Sequence, residues 1–389
     1  MKILYVVSRP LQVNTSASIR NRATIDGLIE LGHDVNLITT EFDKNHASYD
    51  STLANQKLNT TYLKLRGLQS AAKIGRKYKF LQPLKSLIYR LLSQLEVYDN
   101  LKGIVSHVPT LQVDDNTYDL VITSSDPKSS HLFVLEMLKQ NKIKNTPWIQ
   151  IWGDPFATDI SRKNKFMMSH IQKEEKKLLH YATKVIYVSK PTLLEQKKLY
   201  TKYANKMFYV PIPYVEEKMY PVKPVDRNTK ISLIYCGDYT SSIRNIQPLY
   251  DAVNEAGVQL TICGGSDINL KSTQNITIYP RVSFEKTKEF EKEADVLVHV
   301  SNLRGTQIPG KVYQYSGTNK TILFVLDGDK EILKETFEPY NRYVFCENTK
   351  ESIIHAIMDI KSGKYQQLNN PVKAFSAVSI TKSILQMEG

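Results

Sequence analysis

The chain has 389 residues, 41% hydrophobic and 23% charged, which excludes a disordered or low-complexity protein and predicts about two globular domains. Its formal net charge of +13 predicts an acidic partner: a phosphorylated substrate, an anionic membrane or a nucleic acid. Nucleic acid is the least favoured of these, because no helix-turn-helix, zinc or RNA-binding motif accompanies the charge.

The amino-terminal segment and the cysteines indicate a cellular compartment. The first ten residues contain five consecutive apolar residues, too few for a signal peptide or a membrane span, and they predict a first buried strand. The cysteines, Cys236, Cys263 and Cys346, are odd in number and widely spaced, so neither a disulfide framework nor a zinc site is predicted. We therefore expect a cytoplasmic protein.

Short apolar runs alternate with helical patterns along both halves of the chain. The predicted strands of the first half are 2–8, 33–40, 61–65, 119–125, 148–153, 184–189 and 208–211. Those of the second half are 231–237, 258–263, 275–279, 295–300, 321–326 and 343–347. Strands that are almost entirely Val, Ile and Leu, separated by helices, predict parallel sheets covered on both faces.

A proline-rich run from Pro211 to Pro224 interrupts this alternation and predicts an interdomain linker. We predict an α/β protein of two doubly wound, Rossmann-like domains that face a cleft. The domains are 1–212 and 213–372, and a C-terminal helix, 373–389, is expected to cross back onto the first. Ligands bind such sheets at the carboxyl ends of the strands, so the loops there are the candidate sites.

Residues 66–102 have the composition of a basic amphipathic helix. Basic residues dominate this stretch, and leucines recur at helical spacing between them. Such a helix can lie on an anionic membrane, which predicts peripheral attachment to the inner face of the cytoplasmic membrane. An ordinary domain helix with buried leucines and solvated lysines fits the same pattern.

Two loops of the first half have polar residues suited to an acceptor. The loop after the first strand lacks glycine, which argues against a nicotinamide or flavin enzyme, and its Asn14, Thr15 and Ser16 leave room for a polar group. Ser16 or Ser18 could equally cap the next helix. Asp154 follows a predicted strand and could orient an acceptor hydroxyl or take its proton, or it could simply begin a turn.

A loop of the second half has the features of a diphosphate clamp. Gly237 allows close backbone approach, and Thr240 and Ser241 supply hydroxyl and N–H groups. Arg244 adds a fixed positive charge, although a solvated surface arginine is the alternative.

The segment GTQIPGKVYQYSGT, residues 305–318, follows an apolar strand and opens a short helix. Pro309 suits the first helical turn, and the free N–H groups before it can bind an anion. Lys311 and Gln314 lie three positions apart and share a helix face, from which they could reach a phosphate and a sugar hydroxyl. A helix that merely follows a tight loop is the alternative.

These loops occur together and in order, and the chain resembles the bacterial family 4 glycosyltransferases. These are retaining, nucleotide-sugar-dependent enzymes of the glycosyltransferase B fold that build cell-surface polysaccharides. The resemblance covers nearly the whole chain apart from 41–116, and its motifs are specific only in combination. It is carried by segments such as PWIQIWGDPF, ATKVIYVSK, IYCGDYTSSIRN and QIPGKVYQYSGT.

The resemblance implies roles for the donor-site residues. Arg244 and Lys311 would contact the donor diphosphate, helped by the backbone around Ile308 and Gly310. Arg281 and Val282 would line the nucleotide base.

Two positions depart from the family pattern. The family usually has two glutamates eight positions apart, on the donor sugar and on the ribose, where this chain has Thr306 and Gln314, with Gln307 and Pro309 between them. Gln314 can still hydrogen-bond a ribose, whereas Thr306 cannot supply a carboxylate's charge.

The implied reaction is transfer of a sugar from a UDP- or GDP-type donor to a lipid-linked or polysaccharide acceptor, without a metal or other cofactor. The glycan would belong to a capsule, an exopolysaccharide or a lipopolysaccharide. Arg244 and Lys311 would stabilise the leaving diphosphate, and Asp154 would handle the acceptor proton. The alternatives are a nucleotide-sugar 2-epimerase of the same fold and a non-catalytic protein that binds nucleotide-sugar or glycan.

Overall fold

The computed structural model describes residues 1–42, 44, 48–51, 58–65, 96–113, 116–160, 167–221, 230–365 and 368–386. The chain divides into two compact units. The first consists chiefly of Met1–Val188 and Thr192–Val210, and the second chiefly of Pro211–Ser383. Most of the C-terminal helix therefore belongs to the second unit.

The first unit contains a seven-stranded parallel sheet of order β3-β2-β1-β4-β5-β6-β7. Its strands are β1 Lys2–Val6, β2 Asp34–Thr40, β3 Asn59–Leu63, β4 Leu120–Ser124, β5 Trp148–Trp152, β6 Lys184–Tyr187 and β7 Met207–Tyr209. Its α-helices in the described residues are α1 Ser16–Glu30, α2 Ser129–Lys139, α3 Met168–Tyr181 and α4 Lys190–Leu199. Short 3-10 helices cover Lys102–Thr110 and Thr201–Lys206.

The second unit contains a six-stranded parallel sheet of order β10-β9-β8-β11-β12-β13. Its strands are β8 Ser232–Cys236, β9 Gln259–Cys263, β10 Ile276–Tyr279, β11 Val296–Val300, β12 Thr321–Leu326 and β13 Tyr343–Glu347. Its α-helices in the described residues are α5 Gln247–Ala256, α6 Phe284–Glu293, α7 Lys311–Ser316, α8 Lys330–Phe337, α9 Lys350–Lys361 and α10 Ala377–Gln386. Single 3-10 turns cover Glu338–Tyr340 and Lys373–Phe375.

The central strands have few polar residues because both of their faces are covered. Every residue of β4, β5 and β11 is buried, which is what an all-parallel sheet between two helical layers requires. Each strand predicted from the sequence overlaps an observed strand, so the doubly wound α/β prediction is confirmed. Because all strands in each sheet are parallel, the loops that follow them emerge at the same edge, the carboxyl edge of the sheet.

Two further predictions concern the membrane and the cysteines. The predicted amphipathic segment, 66–102, lies outside the described residues as far as position 95, and Lys102 begins a 3-10 helix. None of the described helices combines the length and hydropathy needed to span a bilayer. All three cysteines are buried and free of disulfide bonds.

Candidate active site

In the first unit, the loops after β4 and β5 bring three carboxyl groups together. These strands are neighbours in the sheet, so their carboxyl ends lie side by side. Oxygen atoms of Asp126, Asp154 and Asp159 lie within 4.8 Å of one another. Asp154 was predicted from its strand end, whereas the sequence reasoning missed Asp126 and Asp159. We call this set the carboxylate cluster.

A buried lysine neutralises much of the negative charge of the carboxylate cluster. Lys128, which is only 5% exposed, forms an ion pair with Asp126, and its Nζ lies 3.5 Å from Asp159 Oδ2. Three carboxylates this close could hold a divalent cation, but the ammonium group already occupies two of them. The arrangement suits proton transfer better than metal binding.

The pKa values of the neighbouring Asp126 and Asp154 carboxyl groups are shifted in opposite directions. Burial and the charge of Asp126 raise the pKa of Asp154 well above its usual range. Burial acts in the same direction on Asp126, but the Lys128 ammonium, the interaction with Asp154 and the Arg20 charge together outweigh it and hold the pKa of Asp126 below its usual range. Of the two neighbouring carboxyl groups, Asp154 is therefore the one that holds a proton more tightly, and Asp126 is the one that ionises more readily.

Arg20 of α1 is buried beneath this loop, and the sequence reasoning gave it no role. Its guanidinium donates hydrogen bonds to the Ser124 hydroxyl, at 3.2 Å, and to the Ser125 carbonyl. It also occupies the space beside Gly153, where an added Cβ would lie 2.5 Å from Arg20 Nη1. Arg20 thus fixes the loops after β4 and β5 and adds positive charge next to Asp126.

The predicted acceptor residues lie at the start of α1. Thr15 is its N-cap, since its Oγ1 accepts a hydrogen bond of 3.2 Å from the Ser18 N–H. The sequence offered Ser16 or Ser18 as the N-cap of this helix, and that prediction was wrong because Thr15 is the N-cap. The Asn14 N–H donates to the Ser48 carbonyl at 2.7 Å, and the Ser16 side chain is exposed.

In the second unit, Arg244 is held rigidly at the carboxyl end of β8. Its Nε and Nη2 donate to Asn302 Oδ1 at 3.1 and 2.8 Å, and its Nη1 donates to the Asp238 carbonyl at 2.8 Å. The Nη1 atom lies beside Gly237, where an added Cβ would come within 3.4 Å of it. Backbone hydrogen bonds of 3.0 and 3.2 Å with Thr240 close the loop.

Asn302, which the sequence reasoning did not identify, connects Arg244 to the segment 305–310. Its Nδ2 donates to the Gln307 carbonyl at 3.0 Å while its Oδ1 accepts from the guanidinium. Asn302 follows β11, which is the neighbour of β8 in the sheet. Its position as a polar residue just after an apolar strand is the sequence feature that could have identified it. Along the same segment Ile308 is buried, and Thr306, Pro309 and Gly310 are partly buried.

The predicted base-binding residues lie in the loop after β10, which contacts the loop after β8. Arg281 is exposed and forms an ion pair with Asp238, whose Oδ1 accepts the Gly265 N–H at 2.8 Å. Val282, next to Arg281, is partly buried. The Ser241 N–H donates to Asp267 Oδ1 at 3.0 Å, so this predicted donor group is engaged within the protein.

Lys311 is engaged by a carboxylate. Its Nζ lies 2.8 Å from Glu291 Oε1 of α6. Burial alone would lower the pKa of Lys311, but the charge and hydrogen bond of Glu291, together with the neighbouring Cys236 and Cys263, outweigh it and raise the pKa, so the ammonium stays charged. The helix that Lys311 begins has only six residues, which limits its dipole. A diphosphate would therefore compete with Glu291 for this cation.

Gln314 fixes the linker to α7. Its Nε2 donates to the Pro213 carbonyl at 3.0 Å, and its Oε1 accepts the Val215 N–H at 3.1 Å. Nearby, an added Cβ at Gly317 would lie 2.7 Å from Tyr214 Cγ. The amide that was predicted to bind ribose is thus used to hold the backbone of residues 213–215.

The substitution Gln314→Glu is expected to destabilise the protein by about 1–3 kcal/mol, because a carboxylate cannot donate to the Pro213 carbonyl. Urea unfolding measures this difference. Gln274→Glu, at an exposed position, is the matched control and should leave the midpoint unchanged. Equal midpoints for wild type and Gln314→Glu would show that the linker contact contributes nothing.

The comparisons with known proteins add evidence on the fold. No protein-family model and no curated protein sequence matches the chain. Among solved structures, an alpha-glucosyltransferase in complex with UDP and a 13-mer DNA aligns with a TM-score of 0.60 and 12% identity, over 97% of this chain and 95% of that one. AviGT4, a glycosyltransferase involved in avilamycin A biosynthesis, aligns with a TM-score of 0.53 and 11% identity over 99% and 96%. This chain has the glycosyltransferase B fold.

A third solved structure that aligns with this chain is assigned a different activity. It is assigned as a UDP-N-acetylglucosamine 2-epimerase from Listeria monocytogenes, and it aligns with a TM-score of 0.50 and 11% identity over 100% of this chain and 97% of that one. The structures that this chain resembles are thus assigned to two different reactions. At such identities the likeness establishes the fold, and the chemistry has to be argued from the residues.

Proposed function

We propose that the protein is a retaining glycosyltransferase of family 4 that transfers a sugar from a nucleotide-diphospho-sugar to a growing surface glycan. The observation that carries the proposal is the fixed guanidinium of Arg244 beside Gly237, at the carboxyl ends of β8 and β11. In a doubly wound sheet this edge is the ligand-binding edge. Because the Arg244 guanidinium is already held in place by Asn302, it can stabilise the leaving diphosphate without the protein having to reorganise.

The first unit would supply the acceptor side of the reaction. Asp154 is the proposed acceptor of the proton from the attacking hydroxyl. The neighbouring Asp126 carboxylate contributes to the raised pKa of Asp154. The raised pKa of Asp154 favours its protonated form, and Asp154 must be ionised before it can act as a base. Substrate binding or a higher pH would provide the ionised form.

Donor binding is tested by a screen of UDP, GDP, ADP, CMP and their common sugar conjugates, read as the shift in thermal midpoint. We expect a shift with one nucleotide and a larger one with its sugar conjugate. The selected donor then enters an assay with lipid-linked glycans, polysaccharide fragments and duplex DNA as acceptors. DNA is included because one structure of the same fold was solved with DNA, and this chain has a net charge of +13.

A nucleotide-sugar 2-epimerase is the second candidate, and the structure assigned to that reaction supports it. The two functions differ in their need for an acceptor. An epimerase converts the donor alone, and nuclear magnetic resonance of the sugar detects the new epimer. Donor binding without either reaction would instead identify a non-catalytic binding protein.

The proposal includes peripheral attachment to an anionic membrane through residues 66–102. It rests on the basic and apolar pattern of the sequence and on the net charge. Replacing Lys77, Lys79 and Lys85 by Gln should release the protein from phosphatidylglycerol vesicles in a sedimentation assay. Association of the triple variant that persists at high salt would contradict an electrostatic contact.

A further inference from the structure

Two cysteines lie side by side where β8 and β9 end. Cys236 is the last residue of β8 and Cys263 the last of β9, and they are directly paired in the parallel register. Paired residues of neighbouring strands project from the same face, with Cα atoms about 4.8 Å apart. This separation is within the range that a disulfide spans.

The two thiols influence each other's ionisation. The neighbouring Cys236 thiol and the Lys311 ammonium lower the pKa of the Cys263 thiol, although burial and the Glu291 carboxylate oppose them. The lowered pKa favours the thiolate, which is the form of cysteine that peroxides attack, and the paired Cys236 lies next to it to react in turn.

We propose that Cys236 and Cys263 form a peroxide-sensitive dithiol that closes reversibly to an intramolecular disulfide. The Cys263 thiolate attacks hydrogen peroxide, which forms a sulfenic acid and releases hydroxide. The Cys236 sulfur then attacks the sulfenic sulfur, the S–S bond forms, and the expelled hydroxide combines with the thiol proton. In total, two thiols are oxidised and one peroxide is reduced to two waters.

The position of the dithiol links its redox state to the donor loops. The Gly237 N–H donates to the Cys263 carbonyl at 2.9 Å, and an added Cβ at Gly264 would lie only 2.0 Å from the Gly237 carbonyl oxygen. The backbones at the two strand ends are therefore in direct contact. A bond between the sulfurs changes the spacing of these strand ends, next to the Arg244 guanidinium.

The test is treatment of the purified full chain with hydrogen peroxide, followed by intact mass measurement and digestion without reduction. We expect a loss of two hydrogens, a cross-linked peptide containing Cys236 and Cys263, and full reversal by dithiothreitol. Cys346 is an internal control, since it is equally buried but lies on β13, which is not adjacent to β8 or β9. Cys346→Ser should therefore oxidise as the wild type does.

Two results would overturn the proposal. One is a wild-type chain that gains oxygen atoms, or stays unmodified, while no cross-linked peptide forms. The other is an S–S bond that persists in Cys236→Ser or Cys263→Ser, since it would have to involve Cys346 or a second molecule. Peptide mapping of the wild type needs no variant, so a poorly folding serine variant does not remove the test.

A separate readout extends the inference to the donor site and rests on the proposed function. Oxidised protein is expected to bind the nucleotide selected by the thermal screen more weakly than reduced protein, and dithiothreitol should restore the affinity. Unchanged affinity with the disulfide formed would exclude the link to the donor loops. If reduced protein binds no nucleotide, the proposed function fails, whereas the mass measurement still decides on the disulfide.

Discussion

The substitution Asp154→Asn is expected to lower the rate of sugar transfer by about 10²- to 10⁴-fold, the usual contribution of general acid–base catalysis. An amide cannot accept the proton of the acceptor hydroxyl. Nucleotide binding should be unchanged, because Asp154 belongs to the first unit and the proposed donor residues to the second. Initial rates at saturating donor, together with the donor dissociation constant, measure both effects.

The pH dependence tests the same assignment with a defined sign. Because the pKa of Asp154 is raised, the group keeps its proton to a higher pH than an ordinary aspartate, so transfer should increase as pH rises through that value. Asp126→Asn removes the neighbouring charge that contributes to the raised pKa. The rising limb of its pH–rate profile should therefore move to lower pH, a shift that a purely structural role for Asp126 would not produce.

The control for charge loss is Asp34→Asn, at an exposed position at the start of β2. It should leave both rate and binding unchanged. Equal transfer rates for wild type and Asp154→Asn would remove Asp154 from the mechanism. A loss of donor binding as large as the loss of rate would instead indicate a folding defect.

The substitution Arg244→Ala is expected to weaken binding of the donor diphosphate by about 1.5–3 kcal/mol, the usual contribution of a hydrogen bond to a charged group. This corresponds to an increase in dissociation constant of about 10-fold to about 150-fold. Arg244→Lys keeps the charge but loses the fork that grips Asn302 Oδ1, so it should fall between wild type and alanine. Isothermal titration with the nucleoside diphosphate measures all three proteins.

Arg22→Ala serves as the matched control, because Arg22 forms an ion pair with its helix neighbour Asp26 and lies in the first unit. Such a helical ion pair contributes about 0.2–0.5 kcal/mol to stability and should not affect binding. Circular dichroism and urea unfolding separate a local loss of charge from a collapse of the loop. Unchanged donor affinity in a folded Arg244→Ala protein would place the diphosphate elsewhere.

The sequence predicted the strands well because parallel strands covered on both faces must be almost continuously apolar. The same reasoning located Asp154 and Arg244, since polar residues that follow such strands emerge at the ligand-binding edge. Asp126 and Asn302 follow strands in the same way, so this signal was present and was not used. Their importance depends on strand order, and only the structure shows that β4 adjoins β5 and that β8 adjoins β11.

Other site features have no local signal in the sequence. Arg20 lies within a helix, where a charged residue is normally expected to face solvent, yet it is buried against the loops after β4 and β5. Gln314 was predicted to reach a sugar hydroxyl from the helix face that it shares with Lys311, and no local pattern indicated its hydrogen bonds to Pro213 and Val215, about a hundred positions away. Contacts between distant segments follow from packing and not from spacing.

The contact between Arg20 and Gly153 limits the order in which these two positions can change. A side chain at position 153 would place its Cβ 2.5 Å from Arg20 Nη1, so any other residue there requires the buried Arg20 side chain to move. Loss of Arg20 first would open that space, but it would remove the guanidinium donor of the Ser125 carbonyl and one of the two cations near Asp126, the other being Lys128. Each single step is unfavourable, so relatives should keep both residues or have replaced both together.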